Sequence, residues 1–260
     1  MPDRPVTSGP LSPWRLDSVA PLSPNAWLRL DVVTRMFPPG VTDVLEVGCG
    51  QGGLGARLAQ RYRYLGIEPD PASFAVAEQR LAHAGSGHVR NVRLEHLEAG
   101  RFDLVCAFEV LEHLEDDVAA VTAWAGRLRP GGWLLLSVPA HQRRFAAADE
   151  LVGHIRRYDP QPLRALLGGA GLVDIELRQY GVPLGYTLEA GRNVLARRRL
   201  RALRTSPVAE RTAASGRLFQ PSGALRGALN RWATAPFRLL QRPFPAAGPG
   251  LVARARLPLT

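Results

Sequence analysis

The residues best suited to bind a ligand form a glycine-rich run at 44–55, which reads VLEVGCGQGGLG. An apolar strand precedes this run and a helix follows it, and glycines at such a junction let the backbone turn tightly and approach a ligand. Gly48, Gly50 and Gly53 match the GxGxxG spacing of dinucleotide sites. The spacing alone therefore predicts a nucleotide-type ligand and leaves its identity open.

An acidic residue before the turn narrows the choice of ligand. The pattern of S-adenosylmethionine sites, an acid followed by alternating glycines, is matched by Glu46, Gly48, Gly50 and Gly52. A carboxylate at this place repels a pyrophosphate but favours a ligand that carries an ammonium and a sulfonium. Glu68 ends the second predicted strand, where an acid accepts hydrogen bonds from both ribose hydroxyls. These acids favour S-adenosylmethionine over a nicotinamide cofactor.

Two carboxylates and an imidazole form a second group that could do chemistry. Glu109, Glu112 and His113 stand at i, i+3 and i+4, which would place them on one face of a helix. Such groups suit a hard or borderline metal ion. The alternative is that His113 packs and hydrogen-bonds beneath the site without any metal.

A polar loop at 149–158, DELVGHIRRY, follows the fifth predicted strand and is a candidate for substrate contact. His154 is the predicted general base, because histidine titrates near neutrality, and it could also complete a metal site. The predicted substrate-binding residues are Asp149, Arg156, Arg157 and Tyr158. For the two arginines, pairing with Asp149 or Asp159 to close the loop is an equally open interpretation.

Composition excludes several classes of site. All 33 basic residues are arginines. The absence of lysine excludes a P-loop, a pyridoxal Schiff base and the Tyr-x-x-x-Lys pair of many nicotinamide oxidoreductases. Cys49 and Cys106 are too few for a disulfide scaffold, so we expect buried free thiols in a reducing compartment.

Alternating strands and helices are predicted to position these groups. A helix capped by Ser23 runs until Pro38. Further helices are predicted at 51–61, 71–82, 116–128 and 161–170, and strands at 44–47, 64–67, 92–94, 102–108, 133–138 and 173–177. This order favours a doubly wound, mostly parallel sheet with helices on both faces.

The charge is concentrated near the C-terminus. Residues 191–260 contain 14 arginines and one acid, whereas residues 1–190 carry a net charge of −3. Helices are predicted at 186–204 and 224–240, the second limited by Pro236 to about three turns. Apolar and cationic residues alternate there in the manner of interfacial helices, which predicts attachment of 186–242 to an anionic membrane surface.

Two alternatives to membrane attachment remain open. Arginine-rich helices also bind RNA phosphates, although nucleic acid is the less favoured partner. The apolar residues of the same segment could instead cover the sheet or complete a dimer, and the sequence leaves the oligomeric state undetermined.

Four ordered motifs closely resemble the class I S-adenosylmethionine-dependent methyltransferases over residues 40–180. They are the glycine-rich run, Gly66-Ile-Glu68, the stretch 102–117 and the stretch 128–139. The Glu-x-x-Glu-His spacing with a later histidine is similar to that of ubiquinone-biosynthesis O-methyltransferases and small-RNA 2′-O-methyltransferases. The resemblance implies a Rossmann-like, seven-stranded α/β sheet with an antiparallel last strand, and a cofactor across the carboxyl ends of the first strands.

The resemblance also implies roles for individual residues. Glu46, Gly48 and Gly50 would contact the methionine part, and Phe108 and Glu109 would lie beside the transferable methyl group. Adenine would be met by one of Glu95, His96 or Leu97. The full predicted cofactor set is Glu46, Gly48, Cys49, Gly50, Gly52, Glu68, Pro69, Glu95, His96, Leu97 and Phe108. The predicted catalytic residues are Glu109, His113 and His154, and the predicted metal ligands are Glu109, Glu112, His113 and His154.

The sequence is therefore divided into an extended arm at 1–22, a methyltransferase domain at 23–185 and a basic, partly helical extension at 186–260. The expected activity is methyl transfer to an oxygen or nitrogen of a small or lipid-linked acceptor, with Mg²⁺ as the optional second cofactor. The alternative is a non-catalytic RNA- or membrane-binding module on a similar core. The absence of a signal sequence or long apolar stretch predicts a cytoplasmic protein, with peripheral attachment at the inner face of the membrane.

Overall fold

A computed structural model describes residues 21–202 and 224–259. Its centre is a seven-stranded sheet of order β3-β2-β1-β4-β5-β7-β6. The strands are β1 (Asp43–Val47), β2 (Arg63–Ile67), β3 (His88–Arg90), β4 (Phe102–Phe108), β5 (Leu128–Pro139), β6 (Val173–Tyr180) and β7 (Gly250–Arg256). Strands β1 to β5 pair in parallel, and β7 is antiparallel to both β5 and β6. The predicted mostly parallel sheet with an antiparallel last strand is confirmed.

Eight α-helices surround the sheet in the described part of the chain. They are α1 (Pro24–Met36), α2 (Gly55–Leu58), α3 (Pro71–Ala84), α4 (Asp117–Ala125), α5 (Ala147–Val152), α6 (Pro160–Gly169), α7 (Leu184–Ala202) and α8 (Ala224–Leu240). None is long and apolar enough to cross a membrane. Helix α1 begins as predicted, because the Ser23 side chain accepts a hydrogen bond from the Ala26 N–H and Pro24 occupies the first position.

Two buried apolar clusters cover the two faces of the sheet. Val121 and Trp124 of α4 join one cluster together with residues of α6. Leu28 and Met36 of α1 join the other, with Leu81 of α3. These four helices each present apolar residues to the sheet, so helices pack on both faces, as predicted.

Two predicted elements are wrong in place or length. The third strand is His88–Arg90 rather than 92–94, and a 3-10 turn occupies Leu94–His96. This strand lies at the sheet edge with one partner, so burial gives it little apolar alternation for a sequence pattern to detect. The helix predicted at 51–61 is reduced to Gly55–Leu58, because glycines before it favour turns over helix.

A strand from the C-terminal segment completes the sheet. Strand β7 lies in the segment 186–260, which the sequence analysis assigned to the extension, yet it inserts between β5 and β6. Leu251, Val252 and Ala253 are buried there. Arg254 and Arg256 lie against the ring of Trp133, with guanidinium carbons 4.9 and 5.3 Å from its centroid. The alternating arginines hid this strand from a search for continuous apolar residues.

The helices α7 and α8 confirm the predicted helical segments near 186–204 and 224–240 within the described residues. Helix α8 continues through Pro236, contrary to the expectation that this proline limits it. Pro236 is exposed, and packing of the opposite side of α8 against α1 offsets the lost hydrogen bond. At the end of α8, the Gln241 amide donates to the Leu28 carbonyl of α1 and accepts from the Gly181 N–H. Residues 1–20 and 203–223, including most of the predicted arm, lie outside the described residues.

The position of β7 gives a test of stability. We expect Leu251→Ala to lower the free energy of unfolding by about 2–5 kcal/mol, because the side chain is fully buried in the middle of the sheet. Leu259→Ala is the matched control, since that leucine is 68% exposed and its truncation should cost under about 0.5 kcal/mol. Urea unfolding measures both, and equal costs would contradict the described position of β7.

Candidate active site

A cavity of about 1190 Å³ opens at the carboxyl ends of β1, β2 and β4. Its wall includes Glu68, Pro69, Gly48 and Gly50, together with Phe108 and the polar residues Glu109, His113 and His154. The cavity therefore lies where open parallel sheets bind their ligands, and it joins the two groups of residues that the sequence analysis treated separately.

The glycine-rich turn shapes one wall of this cavity. Gly48 and Gly50 have φ values of +67° and +54°, in the left-handed region that favours glycine. A Cβ atom at Gly48 would stand 2.7 Å from Cγ2 of Val110. The turn thus requires glycine at 48 for both conformation and space. Gly52 is different, because it packs against Ala77 of α3 and is absent from the cavity wall.

Glu68 is held by the turn that it faces. One carboxylate oxygen accepts the Gly50 N–H at 2.8 Å, and the other accepts the Asp70 N–H at 2.9 Å. Burial raises the pKa of Glu68, and the two N–H donors oppose this effect. Each carboxylate oxygen still has a lone pair for a hydroxyl donor in the cavity.

Glu46 lies deeper in the same wall and is 3% exposed. It accepts a hydrogen bond of 2.7 Å from the Tyr64 hydroxyl. Burial raises the pKa of Glu46 to about 7, despite the opposing effects of this hydrogen bond and of Arg29. The carboxylate is therefore poised to ionise when a cationic ligand approaches.

The remaining predicted cofactor residues divide into two sets. Cys49, Pro69 and Glu95 line the cavity. Leu97 instead belongs to the apolar core and His96 is exposed, and neither is part of the wall. The 3-10 turn directs successive side chains to different sides, so of the three adenine candidates only Glu95 lines the cavity.

Glu109 directly follows β4 and lines the cavity, with a φ of +59°. Its Oε1 accepts hydrogen bonds from Ser137 at 2.8 Å and from Tyr180 at 3.4 Å. The same oxygen lies 3.3 Å from a guanidinium nitrogen of Arg29. Burial alone would raise the pKa of Glu109, but Arg29 and Ser137 hold it below its usual value. Glu109 is therefore an ionised carboxylate, and three partners engage its Oε1.

Glu112, His113 and His154 converge on one point, with their ligand atoms within 4.8 Å of one another. Residues 111–113 form a 3-10 turn rather than the α-helix considered from the spacing. Glu109 is not part of this group, and the 3-10 turn contradicts the idea of a shared helical face. Neither carboxylate oxygen of the buried Glu112 has a hydrogen-bond partner, an arrangement that a bound cation would satisfy.

The two imidazoles are oriented in the manner of metal ligands. Nδ1 of His113 lies 3.1 Å from the Gly153 carbonyl, and Nδ1 of His154 lies 2.9 Å from Oδ1 of Asp149. Because these partners accept hydrogen bonds, each Nδ1 is the donor, and each Nε2 lone pair remains available for a cation or a proton. Burial lowers the pKa of His113 to about 4, so this ring is neutral at pH 7. The donor set fits a divalent cation such as Mg²⁺, Mn²⁺ or Zn²⁺.

The polar loop is engaged in ion pairs within the protein. Arg157 donates to both oxygens of Asp149 at 2.8 and 2.9 Å. Arg156 pairs with Asp117 at 2.7 Å, and the Tyr158 hydroxyl donates to the same carboxylate. Asp149 and Arg157 line the cavity, whereas Arg156 and Tyr158 are absent from its wall. The pairing interpretation fits these arginines better than substrate contact. Arg156, however, pairs with Asp117 rather than with Asp149 or Asp159.

Comparison with known proteins agrees with this geometry. The family model described as "Methyltransferase domain" matches residues 45–134. The chain is 38% identical over 100 residues to the ubiquinone biosynthesis O-methyltransferase of Leptothrix cholodnii, covering 36% of this chain and 43% of that protein. It is 36% identical over 130 residues to the same enzyme of Chromobacterium violaceum, covering 48% and 56%. The chain spans about half the length of the curated relatives that it matches.

Solved structures show the same fold. Phosphoethanolamine N-methyltransferase 2 of Haemonchus contortus, in complex with S-adenosyl-L-methionine, matches with a TM-score of 0.55 and 18% identity over 92% of this chain and 54% of that chain. The YcgJ protein of Bacillus subtilis matches with a TM-score of 0.58 and 14% identity over 90% and 99%. This chain contains a class I S-adenosylmethionine-dependent methyltransferase domain. The intact glycine-rich turn, with Glu68 hydrogen-bonded to it, agrees with that assignment.

Sequence reasoning missed several residues that line the cavity of the methyltransferase domain. Asn25 and Arg29 reach it from α1, Tyr180 from the end of β6, and Glu189 and Arg192 from α7. Helix α1 was interpreted only through its apolar spacing. Its polar residues Asn25 and Arg29, four positions apart and beside the buried Trp27 and Leu28, were the available signal that α1 also lines a cavity.

The raised pKa of Glu46 predicts how cofactor affinity depends on pH. A cationic cofactor favours the ionised carboxylate, so its affinity should rise as pH increases from about 6 to 8, by up to about tenfold per unit below the pKa. Because the folded pKa exceeds the unfolded value of 4.5, the unliganded protein should lose stability over the range from about 4.5 to 7.

Calorimetric titration with S-adenosylmethionine at several pH values measures the affinity. Glu46→Gln should abolish this rise, whereas Glu98→Gln, at an exposed position, should retain it. An affinity of the unmodified protein that is constant from pH 6 to pH 8 would show that Glu46 does not face the cationic part of the cofactor.

Proposed function

We propose that this protein transfers a methyl group from S-adenosylmethionine to an oxygen or nitrogen of a small or lipid-linked acceptor. The observation that carries the proposal is the single cavity that joins Glu46, Gly48 and Glu68 to the acid and imidazole groups near Glu109. The matched relatives include an O-methyltransferase and a fold neighbour that is an N-methyltransferase. Both acceptor atoms therefore remain within the proposal.

In the proposed mechanism, the first half of the cavity holds the cofactor. Glu68 accepts the ribose hydroxyls, and Glu46 faces the cationic methionine part. Phe108 leads to the end where the acceptor approaches the methyl group in line with the sulfur. Holding the two reactants in this geometry supplies much of the rate, since an S-methyl sulfonium is already activated.

Removal of the acceptor proton is assigned to His154. Its Nδ1 donates to the ionised Asp149, so Nε2 is free to accept a proton as the nucleophile attacks. The hydrogen bonds from His154 and Arg157 keep the pKa of Asp149 below its usual value, although burial alone would raise it. Asp149 thus holds the ring in one tautomer and stabilises the cation formed on proton transfer.

We extend the proposal to a divalent cation held by Glu112, His113 and His154. A cation bound there would act as a Lewis acid on an acceptor oxygen and lower its pKa. Glu109 stays outside this set, because Arg29, Ser137 and Tyr180 already engage its carboxylate. With a metal bound, His154 is a ligand; without one, it is the general base.

The alternative function is a non-catalytic module on a methyltransferase-like core. Such a module has no physical need for a turn that requires glycine at position 48 or for buried acids at positions 46 and 68. Their presence around one cavity favours the enzyme.

Label transfer from S-adenosylmethionine with a labelled methyl group tests the activity directly. Incubation with cell extract should give a labelled lipid or small molecule, identified by mass spectrometry. Glu68→Ala removes the acceptor of the ribose hydroxyls and should weaken cofactor binding at least about tenfold, whereas the matched Glu98→Ala, 84% exposed, should not. Cofactor binding without any labelled product would favour the non-catalytic module.

The metal is tested by chelation. Activity should disappear with EDTA, return with Mg²⁺ or Mn²⁺, and be lost in Glu112→Gln while cofactor affinity stays within about twofold. If EDTA has no effect but His154→Ala lowers the turnover rate about 10²–10⁴-fold, His154 acts as a base without metal. Unchanged turnover in both experiments would contradict both catalytic assignments.

We also propose that the C-terminal segment 186–242 attaches the enzyme to the inner face of an anionic membrane, as a peripheral protein of the cytoplasm. The strongest support is an apolar face on α8, defined by Leu229, Trp232, Leu239 and Leu240, which are 49–73% exposed. These four positions lie within an arc of about 100° on a helical wheel. The opposite side of α8 packs on α1, where Arg238 stacks on Trp27.

The charge around the apolar face favours a membrane over a second copy of the chain. Arg231 lies beside it on the helical wheel, with its guanidinium carbon 5.9 Å from the Trp232 ring centroid, and residues 191–260 carry 14 arginines against one acid. Two such faces brought together would repel, whereas anionic lipid attracts each cation by about 1 kcal/mol. The side chain of Leu225, which the sequence analysis placed near this face, lies outside the described residues.

Flotation with vesicles of phosphatidylcholine and phosphatidylglycerol tests the attachment. We expect binding that salt weakens and that Leu229→Ser with Trp232→Ser reduces more than about tenfold, because each side chain contributes about 1.5–3 kcal/mol on burial. Val118→Ser, 59% exposed on α4, is the control and should bind normally. A protein that ignores these vesicles at low salt would refute the attachment.

A further inference from the structure

We infer that Glu189 of α7 is a positioning residue for the His154 imidazole and acts through a buried chain of ion pairs. Helix α7 lies beyond the predicted methyltransferase domain, and no sequence motif connects it to the catalytic end of the cavity. Its meaning for catalysis rests on the proposed function, but the positioning itself is a property of the unliganded protein.

The chain of contacts is continuous from α7 to the ring. Oε1 of Glu189 lies 2.5 Å from a terminal nitrogen of Arg157. The other side of this guanidinium donates to both oxygens of Asp149, and Oδ1 of Asp149 also accepts from Nδ1 of His154 at 2.9 Å. As a result, Nε2 of His154 is turned toward Glu112, at 3.6 Å from Oε1.

Burial makes this chain rigid. The side chains of Glu189, Arg157 and Asp149 are 2–5% exposed. A charge removed from water to this degree is tolerated only when it is paired and hydrogen-bonded in good geometry. Arg144 forms a second ion pair with Glu189, so the charges of two arginines balance those of two acids. None of the four groups can turn without leaving a partner unsatisfied.

Asp149 is the group through which this rigid chain orients the imidazole. One oxygen, Oδ1, accepts from both Arg157 Nε and His154 Nδ1. The carboxylate plane is set by the arginine together with the Ala146 N–H, which donates to Oδ2 at 2.9 Å, and Glu189 holds the arginine from its other side. If Glu189 is neutralised, the guanidinium loses its charged partner on one side and is held only by Asp149 and the Ala140 carbonyl, so the carboxylate presents a less fixed acceptor to Nδ1. Partners of this kind typically affect metal affinity or activity by about 10–100-fold.

The direct test is the tautomer of His154, measured by ¹⁵N NMR of the imidazole at fixed pH in the full-length, unliganded protein. In the unmodified protein, we expect the proton on Nδ1 and none on Nε2. Glu189→Gln should give a mixture of the two tautomers, and Glu189→Asp should restore part of the original state. The matched control is Glu176→Gln on β6, which removes an acid paired with Arg254 of β7 and should leave the tautomer unchanged.

A second measurement is the affinity of the protein for a divalent cation. Mn²⁺ binding to the unliganded protein, measured by electron paramagnetic resonance, should weaken about tenfold or more in Glu189→Gln, with cofactor affinity within about twofold. Arg144→Gln loosens Glu189 from the partly exposed end of the chain and should give a smaller change in the same direction. If Glu189→Gln fails to fold, Arg144→Gln still tests whether Glu189 positions the His154 imidazole.

The outcomes separate this inference from the proposed function. A lowered melting temperature with an unchanged His154 tautomer and Mn²⁺ affinity would overturn the inference, because Glu189 would then be only structural. The Nδ1 tautomer missing from the unmodified protein would overturn it as well. A tautomer change in Glu189→Gln without any methyl transfer by the unmodified protein would support the inference and refute the proposed activity.

Discussion

Buried acidic side chains at the carboxyl edge of the sheet are the constraint on which this structure depends. A carboxylate removed from water must find donors or cations, or else become neutral. Glu68 is satisfied by backbone N–H groups and Glu46 by a tyrosine. Glu109 is paired with Arg29, and Asp149 with Arg157. Glu112 alone among these five residues has no hydrogen-bond partner for either oxygen, which makes it the natural centre of a cation site.

The side chains that hold these acids, directly or through Arg157, come from elements at both ends of the described chain. Arg29 lies on α1, before the first strand, and Glu189 lies on α7, after the sixth. The sheet and its glycine-rich turn form the part that the chain shares with the many proteins of this fold. The acceptor end of the cavity is built largely from the flanking helices, which are the parts free to differ between proteins with different acceptors.

The C-terminal elements connect the sheet, the cavity and the surface. Strand β7 completes the sheet, α7 supports the polar loop, and α8 packs on the helix that carries Arg29. The apolar face of α8 is thus separated from the cavity by a single helix, α1. Asn230 of α8 also donates to the carbonyl of Leu22, which lies at the cavity wall. A protein bound through α8 would hold its acceptor site close to the membrane surface.

The sequence alone determined the class of fold and the cofactor end of the site. Glycines at 48 and 50, and acids at 46 and 68, occur at local spacings, because a turn and the two strand ends beside it impose short-range rules. The alternation of strands and helices likewise follows from periodicity and caps. These features require no knowledge of contacts between distant residues.

Only the tertiary structure decided which partner each charged group takes. Glu189 and Arg157 are 32 residues apart, and Glu109 and Arg29 lie on different elements. A sequence shows that arginines and acids are present, but ion pairing depends on distances of a few ångströms that packing sets. Strand β7 was missed for the same reason, because its arginines gain stability from Trp133 on a neighbouring strand. Local patterns therefore identified the ligand, whereas long-range packing determined which side chains surround the acceptor.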